Sequence, residues 1–254
     1  MNRFFRSVGS LLADYLNARV TVDGVPGPVP VEDLERTVRP GDVILVEGDR
    51  RISLAIKYLT QSTWSHAVLF VGDSPGAGMP AGPCIVEADL AEGVRVAPLS
   101  TLAGMHLRIC RPFGLEPVDC SRVIAYAIAR VGHRYDLKNV LDLARYLLPM
   151  PPVPVRFRRR LIALGSGDPT RAICSTLIAQ AFQSVRFPIL PRIEAVPASD
   201  PDCDGCRREI LHIRHHSLFA PRDFDLSPYF DVIKPRGPDD RRYTEMEWGE
   251  AEPG

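Results

Sequence analysis

Apolar residues recur along the chain at two periods, and the order of those periods predicts the architecture. "DVILVEG" (42–48) is a continuous apolar run with polar ends and reads as a buried strand, while "RRISLAIKYLTQS" after it has helical spacing. "SHAVLFVG" (65–72) and "CIVEAD" (84–89) alternate at period two, and the Gly/Pro-rich "DSPGAGMPAGP" between them suits a long hairpin loop. "GVRVAPL" and "HLRICRP" add two short strands, giving an antiparallel sheet. The period then changes: "VIAYAIARVG" sets Ile124, Ala127, Ile128 and Val131 on one face, and "LKNVLDLARYLL" does the same with Leu137, Val140, Leu141 and Ala144. In "RAICSTLIAQAF" (171–182), Leu177, Ile178, Ala181 and Phe182 follow Cys174 at i+3, i+4, i+7 and i+8. Asp168, Pro169 and Thr170 just upstream are helix-start residues, so Cys174 falls in the first turn or immediately before it. Strands first and helices afterwards predict an α+β fold, an antiparallel sheet packed against helices.

The flanks differ from this middle. Phe4, Val8, Leu11, Leu12 and Tyr15 make an amphipathic helical stripe near the start, followed by the Pro-rich connector "VDGVPGPVPVEDLERTVRPGD". Residues 236–254 are polar and acidic and read as a disordered tail. The expected division is therefore 1–39 for the helix and connector, 40–235 for the main domain and 236–254 for the tail. The opening residues carry Arg3 and Arg6, but the longest apolar run there is the short "LLA", so neither a cleavable signal nor a transmembrane span is expected. With Phe4 and Phe5 beside the arginines, residues 1–20 are a candidate for peripheral membrane contact.

Composition narrows the function classes. Lys+Arg and Asp+Glu both number 31, so no global field would hold a polyanion, and nucleic acid is not an expected partner. Six cysteines in a chain without an export signal point to a reducing, cytoplasmic setting in which thiols stay free. Cys84, Cys110 and Cys120 lie in apolar strand or helix contexts and read as core.

Cys174 is different, because a helix N-terminus favours a thiolate through its aligned dipoles and free N–H groups. Free cysteine is also a common buried residue, so position alone leaves both readings open. A nucleophilic cysteine needs a base and a group that orients the base. His66 opens the strand "HAVLFV" and shares a face with Val68 and Phe70. If the hairpin pairs residue 66 with 87, Glu87 stands beside His66 on the same side of the sheet, although Asp89 and Glu92 are near enough to compete and a loop of this length does not fix register.

As a set, "GDVILVEG", "STWSHAVLFVGD", "IVEADLAEGV", "GHRYDL" and "AICSTLIAQAF" resemble the permuted papain-fold cysteine hydrolases, the NlpC-like superfamily in its YiiX-type branch, over roughly residues 40–234. In that branch the histidine strand precedes the nucleophile helix, the order seen here. The resemblance implies a circularly permuted papain-like fold with Cys174 as nucleophile, His66 as general base and then acid, and Glu87 as the orienting third member. It also implies that "GHRYD" lies near the site, with Tyr135 a substrate-binding candidate beside Ser65 and Ser175; Tyr135 reads equally as a helix-entry residue, with Asp136 as the N-cap. The implied chemistry is acyl transfer through a cysteine acyl-enzyme, on an amide or ester of a lipid-like or peptide-like small molecule. The alternative is an inactive lipid- or peptide-binding module on the same fold.

Two other constellations compete. Cys203, Cys206, His212 and His215 or His216 suggest a Cys₂His₂ zinc set, but only five residues separate Cys206 from His212, against roughly 12 in structural fingers. Neither a metal nor another cofactor is expected. Arg156, Arg158, Arg159 and Arg160 form a local basic cluster in an otherwise neutral chain, either a solvated face or an anion contact.

Overall fold

The computed structural model describes residues 29–73, 76, 79–89, 92–133, 173–197 and 207–234. The N-terminal stripe, the helix expected after Tyr135, the arginine cluster, Cys203, Cys206 and the acidic tail lie outside the described residues.

The chain runs α1 (Val31–Thr37), β1 (Val43–Glu47), α2 (Arg51–Thr60), β2 (His66–Asp73), β3 (Pro83–Asp89), β4 (Gly93–Pro98), a 3-10 turn (Leu99–Leu102), β5 (His106–Pro112) and α3 (Pro117–Ile128). It continues through α4 (Ile173–Ser184), β6 (Arg192–Pro197), β7 (Arg207–His212), a second 3-10 turn (His216–Leu218), α5 (Arg222–Asp225) and β8 (Phe230–Ile233). Six strands form one sheet in the order β4-β3-β2-β1-β5-β8, with β6 and β7 a separate ribbon. Each pairing between neighbours is antiparallel.

Alternation along β1 and β2 separates two apolar cores rather than core from solvent. Val43, Leu45, Ala67, Leu69 and Val86 face the helices and pack with Val123 and Ala127 of α3 and Leu177, Ile178 and Phe182 of α4. On the opposite face Ile44, Val46, Val68, Phe70, Ile85 and Ile109 pack with Leu34, Leu99 and Leu102. Coverage on both sides explains why "VILV" is apolar at every position. The α4 stripe is as its spacing predicts: Leu177, Ile178, Ala181 and Phe182 are all buried. Pro117 opens α3 at a position where its missing N–H costs nothing.

Two elements and one cysteine depart from the sequence reading. Residues 31–37, read as connector, form α1, whose Leu34 is fully buried against the sheet. The edge strand β8 pairs with β5; four residues are too few for a period to show. Cys120 is only half-buried, its thiol donating to the carbonyl of Pro40, whereas Cys84 and Cys110 are core.

A buried ion pair ties the start of β1 to β5. Arg111 donates from Nε to Asp42 Oδ1 at 2.9 Å, and from Nη2 to Asp42 Oδ2 and the Thr37 carbonyl at 2.7 Å each. Asp42 also accepts the backbone N–H of Arg39 and is 1% exposed. Arg111→Met leaves that carboxylate without its cation, and we expect a loss of about 3 kcal/mol in urea unfolding; Asp42→Asn combined with Arg111→Met is expected to recover part of it.

Candidate active site

His66 is the first residue of β2, at the end of the sheet reached through the loop "QSTWS". Ser65 fixes the approach: its N–H donates to the Val46 carbonyl and its hydroxyl accepts from Gly48 N at 2.9 Å. Gly48 must be glycine for this contact, since a Cβ there would sit 2.3 Å from Ser53 Oγ and 3.0 Å from Ser65 Oγ. Ser65, expected to bind substrate, is thus a buried pin between β1 and β2 with its hydroxyl already engaged.

The hairpin register differs from the one expected. Leu69 pairs with Val86 and Phe70 with Ile85, so continuing the ladder sets residue 68 opposite 87 and 66 opposite 89, two positions from a 66–87 pairing. A bulge between Phe70 and Gly72 shifts the ladder once more toward the loop. Because the slip is even, His66 and Glu87 keep the same face and meet diagonally, His66 Nε2 to Glu87 Oε2 at 2.9 Å. Of the competing carboxylates, Glu92 pairs with Arg95 and Asp89 accepts the Glu92 N–H.

Arg95 was not singled out by the sequence reading. It lies directly opposite Glu87 in β4 and donates to Glu87 Oε1 from Nε at 2.9 Å, with Nη2 at 2.7 Å. The signal was available in the short link between "CIVEAD" and "GVRVAPL", which as a tight hairpin places residue 95 across from 87.

Cys174 occupies the first turn of α4, on the helix side of the sheet. The Phe70 N–H points to the Asp42 carbonyl beside β1, so by alternation the Ala67 N–H points toward β3. The β2–β3 ladder runs only from Asp73↔Pro83 to Leu69↔Val86, and the Ala67 N–H donates to the Cys174 sulfur instead. The thiol therefore sits where the two strands part, and there it hydrogen-bonds His66. Since Nε2 is on Glu87, Nδ1 is the nitrogen left for sulfur. Ser175 is fully buried with Oγ 3.9 Å from Cys174 Sγ.

The electrostatics follow from this line of groups. Burial pushes the Cys174 thiol up, but the His66 charge and hydrogen bonds from His66, Ala67 and Ser175 outweigh it, and the thiol titrates below its ordinary value. Burial alone would lower His66; Cys174 and Glu87 together raise it to about 10. Glu87 is likewise opposed by burial yet held down at about 2 by His66 and Arg95. An ionised Glu87 only accepts, so His66 Nε2 carries a proton and the mobile proton belongs to Nδ1. Both shifts run in the direction that favours a thiolate–imidazolium pair, with the Glu87 carboxylate on the far side of the ring.

A second polar group lies on the helix-facing side at the same end of the sheet. Glu47 accepts from Lys57 Nζ at 2.9 Å and His106 Nδ1 at 2.8 Å, joining β1, α2 and β5. Beside it Asp225 accepts from Trp64 Nε1 at 3.1 Å and twice from Arg108 Nη1 at 2.7 Å, which docks α5 on the loop that leads to His66. Of the residues weighed for zinc, His212 pairs with Glu194 at 2.7 Å and His215 with Ser217 Oγ at 2.8 Å. Tyr135 lies outside the described residues; His133, shortly before it, accepts the N–H of Val94, next to Arg95.

A strand opening on His66, a strand carrying Glu87 and a later helix carrying Cys174 meet on a sheet whose neighbouring strands are antiparallel, a mixed helix and antiparallel-sheet fold consistent with a permuted papain-like one. Residues 37–146 match the family described as permuted papain-like amidase enzymes, YaeF/YiiX, C92 family. The matched segment contains His66, Glu87 and Arg95 and ends before Cys174. The chain is also similar to the crystal structure of metalloprotein yiiX from Escherichia coli O157:H7, at 16% identity and a TM-score of 0.47, covering 78% of this chain and 97% of that one. No curated protein matches the chain.

The Glu87 shift gives a stability signature. Its carboxyl titrates at about 2 in the folded protein against an ordinary 4.5, so the stability it contributes is fully present above 4.5 and is lost as pH falls toward 2. Urea unfolding at a series of pH values is expected to fall more steeply across that window for the wild type than for Glu87→Gln, by a total on the order of 3 kcal/mol.

Proposed function

We propose that the protein is a cysteine hydrolase that cleaves an amide or ester through an acyl-enzyme on Cys174. One observation carries the reading: sulfur, imidazole and carboxylate, from three separate elements, form a connected hydrogen-bonded line. The thiolate attacks the substrate carbonyl, and the developing oxyanion is met by N–H groups at the start of α4, including that of Cys174. His66 Nδ1 then gives its proton to the leaving nitrogen or oxygen as the C–N or C–O bond breaks, leaving a thioester. Water attacks the thioester, His66 Nδ1 takes its proton, and the C–S bond breaks to release the acid and restore the thiolate. Glu87 accepts from Nε2 throughout and keeps the ring aimed at sulfur.

We further infer an amphiphilic acyl substrate. Leu54 and Tyr58, one helical turn apart on α2, stay 36% and 67% exposed on the helix whose first turn packs beside Gly48 and Ser65. Residues 1–20, with two phenylalanines among arginines, would bring the chain to an anionic membrane surface.

Incubation with p-nitrophenyl acyl esters and N-acyl amides of increasing chain length should trap an acyl adduct on Cys174 by intact-mass analysis. Cys174→Ala abolishes turnover, and His66→Ala lowers kcat by about 10²- to 10⁴-fold. A wild-type protein that forms no adduct while retaining acyl-ligand binding would identify a binding module instead. The full chain is expected to co-sediment with phosphatidylserine vesicles and to lose that association in 0.5 M salt; sedimentation equal to that with phosphatidylcholine vesicles removes the membrane proposal.

A further inference from the structure

The hydrogen bonds around Glu87 divide unequally between its oxygens. Oε2 accepts from His66 Nε2 at 2.9 Å, whereas Oε1 takes two N–H groups of one guanidinium, Nε at 2.9 Å and Nη2 at 2.7 Å. A carboxylate turning about its last side-chain bond exchanges two equivalent oxygens and sweeps both away from any fixed partner. The double contact from a planar fork opposes that rotation as a single ammonium would not. Arg95 is itself held, its Nη1 donating to Glu92 Oε1 at 3.1 Å from the turn joining β3 and β4. Its backbone sits directly across the ladder from Glu87, so the guanidinium spans one strand spacing.

We propose that Arg95 is a positioning residue of the active site, clamping Glu87 Oε1 so that Oε2 stays on His66 and the imidazole stays on the sulfur of Cys174. The inference rests on the cysteine-hydrolase reading and adds a fourth member to its line. Arg95 meets neither substrate nor sulfur; it acts through Glu87.

The charge of Arg95 and its clamp work in opposite directions, which makes them separable. As a nearby cation alone, Arg95 opposes the His66 imidazolium, so its removal would favour the ion pair and extend thiolate reactivity to lower pH. As a clamp, its removal releases Glu87, weakens the imidazolium and moves thiolate formation to higher pH. The charged and titratable groups bearing on this balance are Cys174 on α4 and Glu87 on β3 facing His66, and Glu87, Asp89 and Glu92 facing Arg95.

The test is the pH dependence of Cys174 alkylation by iodoacetamide, followed by peptide mass mapping in the full chain, with no substrate needed. In the wild type the modification rate should hold its plateau well below the ordinary thiol range and lose it in His66→Ala. In Arg95→Gln the acid limb moves up in pH, slowing alkylation about tenfold at pH 6. Arg95→Lys, which keeps the charge without the fork, stays with Arg95→Gln. An unchanged profile in Arg95→Gln, a shift to lower pH, or full recovery in Arg95→Lys overturns the clamp while leaving the hydrolase reading intact. A wild-type Cys174 that alkylates like an ordinary thiol overturns the hydrolase reading itself. Arg95→Lys supplies the measurement if Arg95→Gln proves unstable by thermal melting.

Discussion

Strand pairing parity is the constraint on which the site depends. His66, Glu87 and Arg95 lie on three adjacent strands, and they share a face because the two ladders joining them keep odd and even positions in step. A slip of one residue in either hairpin would turn one member of the line to the opposite face of the sheet. The apolar residues enforce the register: Val68 and Ile85 belong to one core, Ala67, Leu69 and Val86 to the other. Since both faces are packed, a slipped strand would exchange its contributions to two cores at once. The alignment of His66, Glu87 and Arg95 is thereby tied to core packing.

Sulfur enters this arrangement from the other face. Helix α4 packs its Leu177, Ile178 and Phe182 stripe on the core opposite the one beneath His66, and the thiol reaches imidazole only where β2 and β3 have separated. The Ala67 N–H, which pairing would otherwise consume, becomes a donor to sulfur. Local loss of sheet structure thus creates the access and supplies a polar group for the charge.

The legible parts were those in which burial imposes a period. Strands β1 to β5 and the α4 stripe follow from apolar spacing, and His66 with Glu87 follows from parity even though the expected pairing was two residues off. The bulge between Phe70 and Gly72 and the long loop explain that error, because neither leaves a trace in alternation. Helix α1 was hidden since only Leu34 and Asp33 of its seven residues are buried. The engagement of Ser65 depends on the close approach of Gly48, a contact visible only in three dimensions. Among the described side chains of β6 and β7 none belongs to either core, so no apolar rhythm marks the ribbon.

The placement of Cys174 bears on biogenesis. More than a hundred residues separate His66 from Cys174, and β8, which completes the sheet, follows later still. During translation the ribosome releases His66, Glu87 and Arg95 well before the Cys174 thiol emerges. A nascent chain at that point holds the His66 imidazole without the sulfur that it meets in the folded protein.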